Sequence, residues 1–419
     1  ADSSGGGAFV DAGAQLLDCI VTGNRGSYGA GVFCASSRVD HCVLRGNQAV
    51  LSPGSGGGIY CARGATASQL TMISNTASYG GGSFVEADGV LCNSTSAYNR
   101  AGQLGGGAFF ATHGLVAKCH FHHNYSTQFG GAAYGWLGGV LRNCLANTNG
   151  ALEGGGACLD RGGELESCTL AANYALVRGG GVTALDGGEV RNSIVRMNSA
   201  PEGGDHIETG TNTWYQYTCT QPTPSRGAYN TASSPSFQSS GAQDYRLRSS
   251  SICLNTGGNE GWMPFSTDLD GRPRIYVNRV DMGAYEYNPP DVEVDTDLDG
   301  MPDWWEWAYF QHVTNEPAGD DSDADGYAAL EEWIIGTDPT NSQSAFYVAH
   351  RPVQPGRCLT IEWPSVAGRS YSVVRVTNLL SQGSAELLAD HQPATPPMNV
   401  HTDMAPLAVR SYYKIFVYK

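Results

Sequence analysis

Eight times in the first 200 residues, a run of glycines is followed about 18 residues later by an asparagine. The runs stand at Gly5–Gly7, Gly29–Gly31, Gly56–Gly58, Gly80–Gly82, Gly105–Gly107, Gly130–Gly131, Gly154–Gly156 and Gly179–Gly181. The asparagines are Asn24, Asn47, Asn75, Asn99, Asn124, Asn149, Asn173 and Asn198, with gaps of 23, 28, 24, 25, 25, 24 and 25 residues. A fixed period of this size marks a solenoid, in which each repeat packs only on its neighbours. It argues against a single pocket organising this half of the chain.

One unit, Gly154 to Asn173, alternates short apolar or β-branched stretches with Gly and Asn turns. No stretch keeps an apolar period of 3.6 long enough for a helix. Strands of ~3–5 residues with three turns per repeat fit one coil of a right-handed parallel β-helix. Coils stack at ~4.8 Å, so eight would span roughly 40 Å. The position five before each asparagine is Cys19, Cys42, Leu70, Ser94, Cys119, Cys144, Cys168 and Ser193. Small residues recur there, as expected where a narrow coil turns inward. The asparagines suit an inward ladder at a tight bend, each amide bonding the next coil. The glycines suit positive φ or crowded backbone. Both columns are read as architectural. The 28-residue gap, with its extra Leu51-Ser-Pro-Gly-Ser55, is the one break in the beat and the first place to look for a contact.

The net charge is −16, but residues 291–340 hold fifteen Asp or Glu and no Lys or Arg, which leaves −1 for the other 369 residues. The acidity belongs to one segment. Without a basic stripe, nucleic-acid binding is disfavoured. Without a run of 18 apolar residues, no membrane span is expected. The chain opens at Ala1-Asp-Ser-Ser-Gly, inside a repeat, which is read as a processed or trimmed start with no signal peptide. The first coil should then be covered by further residues, by self-association or by a neighbouring protein.

Of twelve cysteines, seven fall into solenoid columns, including Cys34 and Cys61 three residues after their glycine runs. Side chains in register on parallel strands point the same way, which is poor disulfide geometry. Buried free thiols are the expectation there. Cys219 and Cys253, read as lying outside the solenoid, are the candidate disulfide. With no CxxC pair, zinc is not expected.

From about Gly203 the beat is lost. The segment contains Tyr245-Arg-Leu-Arg-Ser-Ser-Ser-Ile-Cys-Leu-Asn-Thr-Gly257, Thr267-Asp-Leu-Asp-Gly-Arg-Pro-Arg274 and Val280-Asp-Met-Gly-Ala-Tyr-Glu-Tyr287. Over about 45 residues this resembles the terminal part of bacterial β-helix proteins of the "choice-of-anchor" type, except that Asn255 stands where that family usually has Asp. The resemblance implies a secreted, often surface-held protein of a bacterium, and supplies no catalytic residue. From the residues alone, the segment reads as a last coil or two and a cap, with Asp268, Asp270, Arg272 and Arg274 in a local ion network.

The strongest chemical motif is Asp295-Thr-Asp297-Leu-Asp299-Gly300-Met301-Pro-Asp303-Trp-Trp-Glu306, which matches D-x-D-x-D-G-x5-E. The three aspartates supply single oxygens, Gly300 the sharp turn, Met301 a backbone carbonyl and Asp303 the ninth position. Glu306 closes the site with both oxygens. A second copy begins 26 residues on, with Asp321, Asp323, Asp325, Tyr327 and Glu332; Ala329 leaves its ninth position to water. Carboxylates this dense repel one another without a cation, so calcium is the expected cofactor. Apolar runs after each loop read as short helical arms. The pair, with the trailing Gly336-Thr-Asp-Pro-Thr-Asn341, resembles the thrombospondin type 3-like and dockerin-like repeats of secreted bacterial proteins, where calcium usually stiffens a linker.

Residues 344–419 read as a small all-β sandwich of immunoglobulin or fibronectin type, for attachment, sorting or packing. The expected domains are thus 1–202 β-helix, 203–290 its end and cap, 291–343 tandem calcium loops, and 344–419 β-sandwich.

Catalysis would need a lateral cleft. The solenoid has one lysine, Lys118. Asp11, Arg63, Glu86, Asp160 and Asp186 follow the glycine runs, and Glu164, Glu166 and Glu189 lie on another turn. Asp160 with Asp186 could do paired-carboxylate glycoside hydrolysis if they stacked. His120 and His122 alternate onto one face, beside His113 and His123, and a metal or base role is conceivable there. Phe109, Phe110, Tyr134 and Trp136 could stack sugars or fill the core. A solvated turn face and a polar patch explain most of these. The reading therefore leans away from catalysis. It points to an extracellular structural or adhesive surface protein, assembling into a fibre or layer, with glycans as further candidate partners. The alternative is a polysaccharide lyase or glycoside hydrolase with a β-helix catalytic domain. A weaker third reading is a dockerin-like module docking on a partner.

Overall fold

The computed structural model describes residues 4–50, 53–209, 212–264, 266–276, 279–287, 295–310, 312, 318–354, 358–366, 368–376, 385–396, 398–403 and 412–418. Contacts divide the chain into two compact units, Ala1–Pro289 and Pro290–Lys419.

The first unit is a parallel β-solenoid. Each regular coil has four short strands rather than the three sides expected. The first sheet, from Ala8–Val10 to His206–Glu208, has nine strands. The second runs from Gln15–Leu17 to Gly227–Ala228 with ten, and the third from Ile20–Thr22 to Cys219–Thr220 with nine. The fourth, from Arg25–Gly26 to Tyr174–Arg178, has seven. The extra side is the short strand after each asparagine, whose inward residues are as small as Ala49 and Ala77. The solenoid also outlasts residue 202. The strand Cys219–Thr220 pairs with Ile194–Val195, so Cys219 belongs to the solenoid and not beyond it.

The asparagines form the expected ladder. Asn149 Oδ1 accepts both the backbone N–H (2.9 Å) and the Nδ2 (3.0 Å) of Asn124, and Asn149 Nδ2 donates to Asn173 Oδ1 (2.9 Å) and back to Phe121 O (3.0 Å). The residue before each asparagine takes positive φ, as at His123 and Thr148. That corner interrupts the backbone ladder, and the side-chain oxygen of the next coil accepts the N–H that the corner would otherwise strand. The ladder ends on a residue of a different kind. Asn198 N and Nδ2 donate to Asp205 Oδ1 at 3.0 and 3.3 Å.

A second ladder explains the Cys/Ser column. Cys119 N donates to Cys144 Sγ and Cys144 N to Cys168 Sγ, both at 3.3 Å, and Cys168 N donates to Ser193 Oγ at 3.1 Å. Each thiol or hydroxyl donates to the carbonyl two residues back, as Cys144 Sγ does to Arg142 O and Ser193 Oγ to Arg191 O. Any small side chain with one donor and one acceptor serves. The eleven cysteines whose side chains are described are free, as expected for the columns.

The glycine runs are steric. Gly154 has φ +65°, and a Cβ on Gly156 would lie 2.6 Å from Gly181 O in the next coil. Core residues alternate in size along the axis: Phe110 pairs with Gly135, where a Cβ would come within 2.7 Å of its ring. Residues 51–52 of the insertion lie outside the described residues. The chain rejoins the beat at Gly54, whose carbonyl accepts Ser78 N and Tyr79 N.

After the last coil the chain turns back along the side of the solenoid, at the corner between the second and third sheets. It is a lateral segment as well as a cap. Lys118 Nζ donates to Thr267 Oγ1 (2.5 Å), Asn143 Nδ2 to Thr267 O (2.8 Å) and Asn192 Nδ2 to Gly258 O (2.9 Å). Phe237, Tyr245, Leu247, Cys253 and Met282 bury against Leu145, Ala171, Ile194 and Cys219. Trp262 caps the Arg142 guanidinium at 4.5 Å while its Nε1 donates to Glu166 at 2.8 Å.

Among its described residues the second unit holds two short helices, α1 (Asp303–Phe310) and α2 (Ala329–Ile335), and two three-stranded antiparallel sheets. The sheets enclose Ile361, Trp363, Tyr371 and Val373 in a β-sandwich-like region.

Removing Asn149 should strand several buried partners at about 1–3 kcal/mol each. Asn149→Ala is expected to lower unfolding stability by about 3 kcal/mol or more, whereas Cys144→Ser, which keeps donor and acceptor, costs about 1 kcal/mol. Urea unfolding of the two variants side by side checks the contrast; equal losses would contradict it.

Candidate metal centre

Among the described residues, the two groups of three or more side chains placed to hold a metal ion are Asp295, Asp297, Asp299 and Asp321, Asp323, Asp325, with one carboxylate oxygen of each within 4.8 Å of the others. Both loops fold alike. Leu298 and Ala324 have φ of 62°, and Gly300 and Gly326 have φ of 95° and 100°. Asp295 accepts Asp299 N and Gly300 N, and Asp321 accepts Asp325 N and Gly326 N. Both oxygens of Asp295 and of Asp321 are thus held by backbone N–H groups, whereas Asp299, Asp323 and Asp325 each accept a backbone N–H through Oδ1 only.

The closing glutamates give the clearest signal. Glu306 and Glu332 are fully buried, yet both oxygens of Glu306 and Oε2 of Glu332 have no hydrogen-bond partner. Asp299 Oδ2, Asp323 Oδ2 and Asp325 Oδ2 are also buried and unpartnered. Burial, then the neighbouring aspartates, push Glu306 up to about 7; burial and Asp323 and Asp325 do the same to Glu332. Buried oxygens without a donor are the kind of ligand that a hard, oxygen-seeking cation could take. Of the eleven predicted ligand residues, the structure brings together the six aspartates, Asp295, Asp297 and Asp299 in one group and Asp321, Asp323 and Asp325 in the other. Asp303 stands apart, because its carboxylate accepts Thr296 N (2.7 Å) and Thr296 Oγ1 (2.6 Å).

The helical arms pack as expected, with Met301, Trp305, Ala329 and Trp333 buried together and the two indoles 5.8 Å apart. The loops are not a separate linker before the sandwich. Arg369 of the sandwich donates to Trp333 O (2.7 Å) and Ile334 O (2.8 Å), closing the C-terminus of α2, and lies 4.8 Å over the Trp333 ring.

In the first unit, the motif residues of the lateral segment form a buried polar core. Arg274 is fully buried, 3.2 Å from Glu286, and donates to Gly283 O and Asp281 O. Asp268 accepts the N–H groups of Asp270, Arg272 and Glu286; Asp281 accepts those of Asn255 and Tyr287. The expected four-residue ion network is therefore redrawn. Asp270 pairs instead with Arg246, at 2.5 Å. Burial pushes Asp281 up to about 6 and raises Asp268 and Glu286.

Cys219 and Cys253 are both free and buried in one apolar cluster, so the expected disulfide is not formed here, and Cys219 Sγ donates to Ser233 O at 3.2 Å. The neighbouring thiol, ahead of burial, lowers Cys219 and raises Cys253. His120 and His122 share one face, with ring centroids 4.8 Å apart, but His120 Nε2 is 2.6 Å from Asn147 Oδ1 and His122 Nδ1 is 3.0 Å from His123 Nδ1. Burial, then the other histidines, lower His122 to about 4, so that ring is neutral near pH 7. Asp160 and Asp186 do not share a rung. Leu159 pairs with Ala184, which sets Leu185 beside Asp160, and Asp160 accepts Tyr134 OH at 2.9 Å.

A feature missed in the sequence is an aromatic column on the outer face of the first sheet. Phe9, Phe33, Tyr60, Phe84, Phe109 and Tyr134 stack with centroids 4.5–5.4 Å apart. The signal was present, since an aromatic stands two places after each of the first six glycine runs or their Gly-Ala variants. Phe110, one residue on, points into the core instead. Over the first coils a groove of about 410 Å3 is lined by Phe9, Tyr28, Phe33 and Tyr60, with Asp11 and Glu86 at its edge.

No family model matches the chain, and no curated protein matches it. The fold and the site define a parallel β-solenoid followed by a unit with two acidic loops and an antiparallel sandwich-like region.

Because its folded value is raised, Asp281 favours the protonated form, and that stability is present below 3.8 and lost as pH rises through about 6. The change is about 3 kcal/mol at most. Asp281→Asn should be less stable overall but flatter across this window in pH-dependent unfolding. An unchanged slope would rule out Asp281 as its source. Separately, oxidised glutathione should remove two alkylatable thiols and join Cys219 to Cys253 in a peptide map; a full count of free thiols would exclude the bond.

Proposed function

We propose that this protein is a non-catalytic extracellular structural or adhesive protein of a bacterial surface, with a solenoid rod and a C-terminal unit locked by two calcium ions. The observation that carries the reading is the pair of buried glutamates, Glu306 with both oxygens unpartnered and Glu332 with its Oε2 unpartnered, each following an aspartate loop. An isolated buried carboxylate costs several kcal/mol. A cation bound by six to eight oxygens removes that cost. Calcium suits these loops better than magnesium, because they offer many oxygens on a flexible frame and few places for retained water. Sites of this type outside the cell work at high free calcium, which supports the extracellular setting. The choice-of-anchor resemblance supports surface attachment, with the C-terminal unit, immunoglobulin- or fibronectin-like, as the attached or sorting module.

In this reading calcium braces the loops against the sandwich through α2 and Arg369, and so stiffens the C-terminal unit. The regular inner ladders support a load-bearing role for the solenoid, since its polar columns are spent on holding coils together. The aromatic groove beside Asp11 and Glu86 supports glycan contact as the adhesive function.

Calorimetric titration of the full chain should give two calcium sites, and Glu332→Gln should leave one. EDTA should expose residues 295–345 to protease and lower a thermal transition by about 5 °C or more. Unchanged protease resistance and melting in EDTA would defeat the calcium reading. Cleavage of a polysaccharide by the purified chain would defeat the non-catalytic one.

A further inference from the structure

A second pocket, of about 400 Å3, opens on the outer face of the third sheet, where the strand Ile194–Arg196 meets the hairpin made by Phe237–Ser239 and Asp244–Leu247. Its polar lining is Arg196, Arg248, Ser234, Ser236, Ser239 and Ser240, and no carboxylate lines it. The two arginines come from different elements, one from the solenoid and one from the lateral segment.

Both are anchored by backbone carbonyls. Arg196 Nη1 donates to Ala232 O at 3.1 Å, and Arg248 Nη2 to Gln238 O at 2.5 Å. Arg196 is largely buried, and its Nε has no partner. Its nearest acid is Asp205, 3.8 Å away, whose other oxygen already terminates the asparagine ladder. The hairpin that carries the serines is held in place by the burial of Phe237 and Tyr245. The pocket is therefore framed by packed elements and lined by donors.

We infer that this pocket binds an oxyanion, as a sulfate, phosphate or carboxylate group that is free or carried on a saccharide. A guanidinium presents a planar fork that matches the paired oxygens of such a group, and serine hydroxyls complete its shell. The pocket lies in the first unit and uses none of the calcium loops, so its failure and theirs are separable.

The test is calorimetric titration of the full chain at constant ionic strength with sodium sulfate, glucose 6-sulfate, glucuronate and glucose. Saturable binding of at least one anion, and none of glucose, is expected. Arg248→Gln should weaken it about tenfold or more. Ser240→Glu, which places a carboxylate in the lining without touching either arginine, should abolish it while the melting temperature holds. Glucose 6-sulfate binding more tightly than sulfate would place the group on a saccharide, and equal binding would make the free ion the ligand. No saturable binding of any anion, binding unmoved by both variants, or glucose binding as tightly as glucose 6-sulfate would overturn the inference.

Discussion

The solenoid depends on one repeated contact, an asparagine side-chain oxygen that accepts two N–H groups from the preceding coil. A four-sided coil with strands this short must bend sharply, and each bend takes a residue into the left-handed region. The backbone ladder cannot continue through such a corner. Asparagine repairs it, because a single side chain offers an acceptor to one neighbour and two donors to others. Leucine at that place would leave buried N–H groups without partners, and aspartate would lack the donors. At the end of the asparagine ladder a carboxylate oxygen of Asp205 accepts from Asn198 instead. The glycine runs answer the same geometry, since coils bonded this closely leave no room for a Cβ at Gly156.

The two units meet one electrostatic problem in two ways. In the lateral segment, Asp268, Asp281 and Glu286 are buried, but Arg274 and a set of backbone N–H groups surround them. In the second unit, Glu306 and Glu332 are equally buried and their inward oxygens have no donor. The first arrangement is self-contained. The second is completed, in our proposal, by a cation. This difference separates a structural acid cluster from a candidate ligand site, and composition alone does not make it.

The surfaces carry a similar division. The aromatic column continues the coil spacing outward, so most ring faces are spent on one another and ring edges line the groove. The oxyanion pocket arises where the period is broken. Its walls need a lateral segment that returns to a solenoid strand, and its two arginines are far apart in the chain.

The architecture was legible because its physics is periodic. The asparagine and small-residue columns, the parallel stacking, the helical arms and the two aspartate triplets follow from spacing, since each depends on residues at fixed offsets. What spacing could not supply was which parts of the chain meet. The fourth side of the coil was hidden in strands only two to five residues long. Cys219 seemed to lie past the solenoid because the beat changed before the strands stopped. Asp160 and Asp186 seemed paired because a one-residue slip in register is invisible in a repeat of variable length. Asp303 was spent on Thr296, and the loops were locked to the sandwich by Arg369, through contacts no local pattern encodes. By itself the sequence determined the repeating backbone and its polar columns, because these are set by neighbours one coil away. Only the tertiary structure decided the buried Arg274 core, the Cys219–Cys253 contact and the two-arginine pocket, because each is made by residues brought together when the chain folds back on itself.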